Sequence, residues 1–255
     1  MIITDTHTHL YSEAFAEDRE EMMIRALEAG VSRFFIPAID ASYTEAMLDL
    51  EAKFGDYVHL MAGLHPTSVK ENFKEELGHV EELLAKRSFC AIGEIGIDLY
   101  WDKSTLDIQK EAFRHQIQLA KEYKLPIVIH CREAFDEIFE VLETESGDDL
   151  YGIFHCFTGN LQQAHKAIGY NMKLGIGGVV TFKNGGLDKF ISEIDLKHIV
   201  LETDSPYLAP KPYRGKRNES AYIVKVVEKL SELYGVSQDD VASITTQNSK
   251  DIFSI

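Results

Sequence analysis

Apolar positions along the chain follow two rhythms. Short runs rich in β-branched and aromatic residues recur at 2–6, 33–36, 58–63, 90–95, 126–130, 152–155, 172–176 and 199–202. Each has the length of a barrel strand. Several are continuously apolar, the pattern of parallel strands covered on both faces. Between these runs the apolar spacing changes to three and four. Residues 18–29 put Met22, Met23, Ala26 and Leu27 on one face, and residues 108–123 do the same with Phe113, Ile117, Ala120 and Tyr123. Residues 221–234 repeat it with Val224, Val227, Leu230 and Tyr234. Gly30, Gly55, Gly147, Gly169 and Gly235 stand where such helices should stop. Ser237 and Asp240 have the spacing of a capping box that opens a last helix carrying Val241, Ile244 and Ile252.

Eight strands alternating with helices predict a parallel sheet, and the count of eight favours a closed (β/α)8 TIM barrel over an open doubly wound sheet. An open dinucleotide-binding sheet would want GxGxxG after its first strand, where this chain has His7-Thr8-His9. The 255 residues match one barrel domain spanning 1–255, since a barrel takes about 250. No linker-like tract or internal repeat divides them. Met1-Ile2-Ile3-Thr4-Asp5 lacks the marks of a signal peptide. No apolar run approaches the roughly 18 residues of a membrane span. The expectation is a cytoplasmic protein with no membrane contact. Cys90, Cys131 and Cys156 are odd in number and widely spaced, so buried thiols are expected in place of disulfides or a zinc cluster.

The informative polar residues fall at the C-terminal ends of the predicted strands. His7 and His9 end the first, His65 follows the third, Glu94 ends the fourth, His130 the fifth and His155 the sixth, and Asp204 follows the eighth. In a parallel barrel these ends meet on one face, where barrel enzymes carry their sites. His-x-His in an extended chain turns both imidazoles to one side. The mixed nitrogen and oxygen set suits zinc, manganese, iron or cobalt, and less exclusively magnesium. One carboxylate can bridge two such ions, which together polarise a phosphoryl oxygen and generate hydroxide. Any one of these residues alone would read as ordinary packing; all of them at strand ends point to a metal site. Asp5 shares the face of His7 and His9, where it would orient an imidazole or cap the barrel interior. Strand alternation turns Cys131 and Cys156 toward the helices. His59, His79, His115, His165 and His198 read as structural or exposed.

A net charge of −16 weighs against a protein that coats DNA, because phosphate binding runs on Lys and Arg. A bound divalent cation supplies the local positive field that an enzyme needs. Arg132 lies two residues after His130 and can grip an anion over the same mouth. Lys211-Pro212-Tyr213-Arg214-Gly215-Lys216-Arg217-Asn218 follows the eighth strand. Its cations, Arg214 and Lys216 among them, are candidates to hold phosphates, and Tyr213 to stack on a base.

Taken in order, Asp5-Thr6-His7-Thr8-His9-Leu10, Gly63-Leu64-His65-Pro66, Gly93-Glu94-Ile95-Gly96-Ile97-Asp98, Gln109-x-x-x-Phe113, His130-Cys131-Arg132, His155-Cys156-Phe157-Thr158-Gly159, Glu202-Thr203-Asp204-Ser205-Pro206 and Pro212-Tyr213-Arg214-Gly215 resemble the TatD family of metal-dependent hydrolases, within the amidohydrolase-like barrels. The resemblance runs end to end. It implies two divalent ions (Mg, Mn or Zn), one held by His7, His9 and Asp204, the other by His130 and His155, with Glu94 bridging. Asp204 would accept a proton from the attacking water, and His65 and Arg132 would contact substrate phosphate. The implied reaction is hydrolysis of DNA phosphodiester bonds from a strand end, with DNA a transient substrate and no obligate protein partner. Some family members are described as D-aminoacyl-tRNA deacylases, so a deacylase or lactonase using the same ions is the competing enzyme. A metal-binding interaction protein without turnover fits a complete ligand set less well. The chain departs from the family pattern at Ser220, where relatives often have proline after Asn-Glu.

Overall fold

A computed structural model describes residues 1–255. Each apolar run forms a strand: β1 (Ile3–Asp5), β2 (Val31–Ile36), β3 (Val58–Leu60), β4 (Ile92–Asp98), β5 (Ile127–Arg132), β6 (Gly152–Phe154), β7 (Met172–Ile176) and β8 (Ile199–Leu201). They pair in parallel as two ladders, β1-β2-β3 and β4-β5-β6-β7-β8. Two hydrogen-bonded seams join the ladders into a barrel. Ala62 bridges Ile92 in parallel, and the Gly93 N–H donates to the Ala62 carbonyl at 2.8 Å. On the other side the Thr6 N–H donates to the Leu201 carbonyl at 2.9 Å.

The period-two alternation sorts the strand residues into two cores. Phe35, Met61, Ala91, Val128, Ile153 and Val200 form one cluster inside the barrel, with Ile252 and Phe253 packed against it. Their neighbours Phe34, Ile36, Ile127, Ile129, Phe154, Ile199 and Leu201 belong to the larger core under the helices. The Phe253 ring stacks on Phe35 with centroids 3.8 Å apart, so the end of the last helix plugs the barrel floor. The inward layer fixes what lies above it. His130, His155 and Glu202 stand two residues beyond Val128, Ile153 and Val200, and therefore point into the same barrel.

The helices are α1 (Arg19–Glu28), α2 (Thr44–Phe54), α3 (Phe73–Lys86), α4 (Leu106–Tyr123), α5 (Phe135–Glu145), α6 (Leu161–Gly169), α7 (Ile223–Tyr234) and α8 (Gln238–Phe253). Ser237 and Asp240 make the full capping box of α8. Gly235 ends α7 in the left-handed conformation, at φ 66°. Gly169 is the last residue of α6, and Asn171 takes the left-handed turn that follows, at φ 61°. Strict alternation of strand and helix fails once: β7 and β8 are joined by short 3-10 turns alone. Asn184-Gly185-Gly186 interrupts that stretch, and glycine lowers helix stability by about 1 kcal/mol per residue. No helix is long and apolar enough to cross a membrane.

Candidate metal centre

β4 is longer than its apolar run suggests, and this changes where Glu94 sits. The strand continues to Asp98, and its register against β5 slips between Gly93 and Ile95. Glu94 is thus an irregular residue within the strand, not its end. Such irregularities re-aim a side chain, and here the carboxylate enters the barrel, 2% exposed.

Its two oxygens face different partners. Oε2 lies 3.1 Å from His7 Nε2 and 3.8 Å from His9 Nε2. Oε1 lies 2.7 Å from His130 Nδ1, 3.5 Å from His155 Nε2 and 3.2 Å from His65 Nε2. Asp204 Oδ1 closes the first group, 3.4 Å from His9 Nε2 and 3.9 Å from His7 Nε2. Asp204 itself is left-handed, at φ 56°, a conformation Asp tolerates better than most residues. Seven side chains drawn from six strands or the residues just beyond them therefore converge. His65 stands as close to Glu94 as the expected ligands do, and with Glu94 and His130 it forms a group within metal-ligating distance.

Several neighbours fix the imidazoles. The Tyr11 hydroxyl donates to the Pro37 carbonyl at 3.1 Å, so it accepts from His9 Nδ1 at 2.9 Å and leaves Nε2 free to ligate. His130 Nε2 meets Asp98 Oδ2 at 2.8 Å, which turns Nδ1 toward Glu94. His155 Nδ1 lies 3.2 Å from Glu202 Oε1. A side chain on Gly175 would collide with Glu202, so the missing Cβ there makes room for that carboxylate. Asp5 does not orient an imidazole. Its oxygens take the Thr203 N–H at 2.9 Å, the Thr203 hydroxyl at 2.6 Å and the Ser220 hydroxyl at 2.7 Å. Asp5 thereby anchors the segment carrying Asp204, and Ser220, at the departure from the family pattern, is one of its donors.

The electrostatics suit cation binding. Burial favours the uncharged carboxyl of Glu94, but the surrounding His65, His155 and His7 hold it well below the usual range. Burial and then the nearby His155 lower His7 to about 4, so its ring is neutral. Burial opposes a charge on His155, yet Glu202 and Glu94 raise it to about 10; these carboxylates call for a positive charge, which a divalent cation would supply in place of that proton. Both ring nitrogens of His7 and Oε2 of Glu202 are buried without a hydrogen-bond partner. An orphaned imidazole beside a buried carboxylate is what a divalent cation would satisfy, so the residues fit a metal.

The outer residues need corrections. Cys131 packs against the helix-layer core as alternation requires. Cys156 packs against the same core, although β6 ends at Phe154 and Cys156 is left-handed at φ 44°. Its sulfur lies within ligating range of His155 and Glu202. Burial, then Asp204 and Glu202, push the thiol well above its usual range. One face of Tyr213 is covered by Tyr222, with centroids 3.8 Å apart. Arg214 lies on the Phe182 ring at 3.7 Å. Lys216 is exposed, and Arg217 is paired with Asp18 at 2.6 Å. Arg132 lies over Tyr100 at 3.7 Å. Asp98, Tyr11 and the exposed Trp101 escaped the sequence reading. Tyr11 was accessible from it, because it continues the period-two series of His7 and His9.

Comparison with known proteins agrees with this geometry. The family model of TatD related DNases matches residues 4–254. The uncharacterized metal-dependent hydrolase YabD of Bacillus subtilis is 40% identical over 255 residues, covering 100% of both chains. The 3'-5' ssDNA/RNA exonuclease TatD of Pectobacterium parmentieri is 31% identical, with 98% of each chain covered. The crystal structure of YjjV, a TatD homolog from Escherichia coli, superimposes with a TM-score of 0.93 at 29% identity, covering 99% of this chain and 98% of that one. By sequence, fold and the residues gathered in its barrel, this chain belongs to the family of TatD related DNases.

Proposed function

We propose that this protein is a divalent-metal-dependent nuclease that shortens a single DNA strand from its end. The observation that carries the reading is Glu94: one buried carboxylate presents Oε2 to His7 and His9 and Oε1 to His130 and His155. Such a residue suits two ions. His7, His9 and Asp204 would hold the first, His130 and His155 the second, with Glu94 between them. When bound, the ions supply Lewis acidity and a water acidic enough to attack at neutral pH. The chain's own residues do the rest. Asp204 accepts the proton of the attacking water while the ester oxygen leaves phosphorus. Asp98, Tyr11 and Glu202 keep the imidazoles turned to their task. His65 reaches the same carboxylate and serves either an ion or the phosphate. Arg132, two residues beyond His130 at the end of β5, supplies a cation for a phosphate oxygen. The name of the Pectobacterium relative, an exonuclease on single strands, supports the substrate class.

The test is digestion of end-labelled single-stranded and duplex DNA by protein reconstituted with magnesium, manganese or zinc. A ladder shortening from one end of the single strand is expected. Hydrolysis of D-aminoacyl esters with intact oligonucleotide would replace this reading by the deacylase.

A further inference from the structure

We propose that the Tyr100–Trp101 turn is a stacking platform for an unpaired nucleobase, with Arg132 holding the phosphate beside it. This rests on the nuclease reading above. Trp101 is 71% exposed and Tyr100 49%. Both follow β4 at the face where the imidazoles gather. Large aromatics left in water at a site mouth usually meet a ligand.

The turn is held in place and not merely exposed. The N–H groups of Tyr100 and Trp101 donate to Asp98 Oδ1 at 3.0 and 3.4 Å. The Leu99 N–H donates to the Arg132 carbonyl at 3.0 Å. The other oxygen of Asp98 meets His130 Nε2 at 2.8 Å. One carboxylate thus ties the aromatic turn to an imidazole of the metal centre, which sets the distance between a stacked base and the reacting phosphate.

Arg132 gives the platform its sign. Its guanidinium carbon lies 3.7 Å from the centre of Tyr100 and 5.6 Å from that of Trp101. The two rings meet edge to face at 4.8 Å. A guanidinium stacked on an aromatic keeps its N–H groups at the edge, ready for a bidentate phosphate contact. Flat ring, cation and metal centre in sequence match base, phosphate and scissile bond. Stacking accepts any base, because every base has a π-face. It requires that the base be unpaired, which favours a single strand over a duplex.

Trp101 is the one tryptophan of the chain, so its emission reports on the platform directly. Metal-reconstituted protein is titrated with a short single strand whose phosphorothioate linkages resist cleavage. Saturable quenching is expected, in step with the anisotropy of a labelled copy. An abasic strand of equal length should bind roughly ten-fold more weakly, the usual loss of a stacking contact, and leave the emission unchanged. Trp101→Ala should raise KM for the strand by about the same factor and spare a small aryl phosphodiester. Trp101→Phe should restore most of the loss. Binding without quenching, or equal binding of the abasic strand, overturns the platform and leaves a protein partner as the occupant of the turn. Quenching with no hydrolysis under any divalent metal would instead remove the nuclease reading and keep the platform.

Discussion

Glu94 and Asp98 stand four residues apart and make different demands on the centre. Glu94 faces both imidazole groups, whereas Asp98 touches only one imidazole, that of His130. Glu94→Gln should therefore lose metal stoichiometry and turnover together, because an amide is a poor bridge; full occupancy with normal turnover, by elemental analysis and single-turnover kinetics, would refute the bridging role. Asp98→Asn should keep its stoichiometry and need roughly 10- to 100-fold more metal for half-saturation, the usual cost of losing a carboxylate behind a ligating histidine. Equilibrium titration separates the two. The sequence alone marked Glu94, His7, His9, His130, His155 and Asp204 because strand ends in a parallel barrel must converge. Asp98 stayed hidden for a physical reason. The register slip at Gly93–Ile95 carries β4 on beyond its apolar run, and nothing in a single sequence announces a slip.

At the scale of elements, the segment after β8 divides into an anchored part and a free part. Arg217 and Arg25 converge on Asp18 at 2.6 and 2.9 Å, tying α1 to the end of that segment. Hydrogen bonds from Arg217 and then Arg25 hold the Asp18 carboxyl far below its usual range. A carboxyl depressed in the folded state adds stability above its unfolded value of about 3.9 and loses it as pH falls through the folded value. Asp18→Asn should thus lower Tm by about 2 °C at neutral pH, a modest figure for a partly exposed network. The gap to the parent should close as the pH drops below about 4, which thermal unfolding across pH will reveal. Arg214 and Lys216 belong to the free part, with no ion pair to another residue. Arg214→Ala with Lys216→Ala should raise KM for an oligonucleotide and flatten its salt dependence, since fewer counterions leave on binding. Equal loss on a small phosphodiester would mean that the segment is structural. The capping box of α8 and the left-handed Gly235 were legible because they need only local spacing. The pairing of Tyr213 with Tyr222, and of Arg217 with Asp18, depends on contacts across the fold that spacing cannot express.

For the whole molecule, the eightfold alternation of apolar runs was enough to indicate a barrel, even though one helix is missing between β7 and β8. A packed interior layer tolerates that loss, because Phe35, Met61, Ala91, Val128, Ile153 and Val200 fill it without any residue of β7. The same molecule carries a net charge of −16 while asking a polyanion to approach its mouth. The association rate with DNA should therefore be low at low ionic strength and gain from divalent cations beyond their role in turnover, the reverse of a basic nuclease, even though counterion release at Arg214 and Lys216 weakens the equilibrium affinity as salt rises. Stopped-flow binding to a cleavage-resistant strand, at fixed metal and rising monovalent salt, checks the sign.

The seams between the two ladders have a further consequence. Three strands stand on one side and five on the other, stitched at β3–β4 by the N–H groups of Cys90, Ala62 and Gly93 and at β8–β1 by those of Thr6, Asp204 and His9. The proposed ligands straddle that division: His7 and His9 come from the smaller ladder, and Glu94, His130, His155 and Asp204 from the larger. A pair of metal ions would act as a rivet, and the apo barrel should breathe along its stitching before it melts. In amide hydrogen–deuterium exchange, Thr6, Ala62 and Gly93 should be the barrel amides that slow most on metal loading, while the β5–β6 ladder hardly changes. Uniform slowing across all strands would mean that the barrel opens as one unit and that no seam yields first.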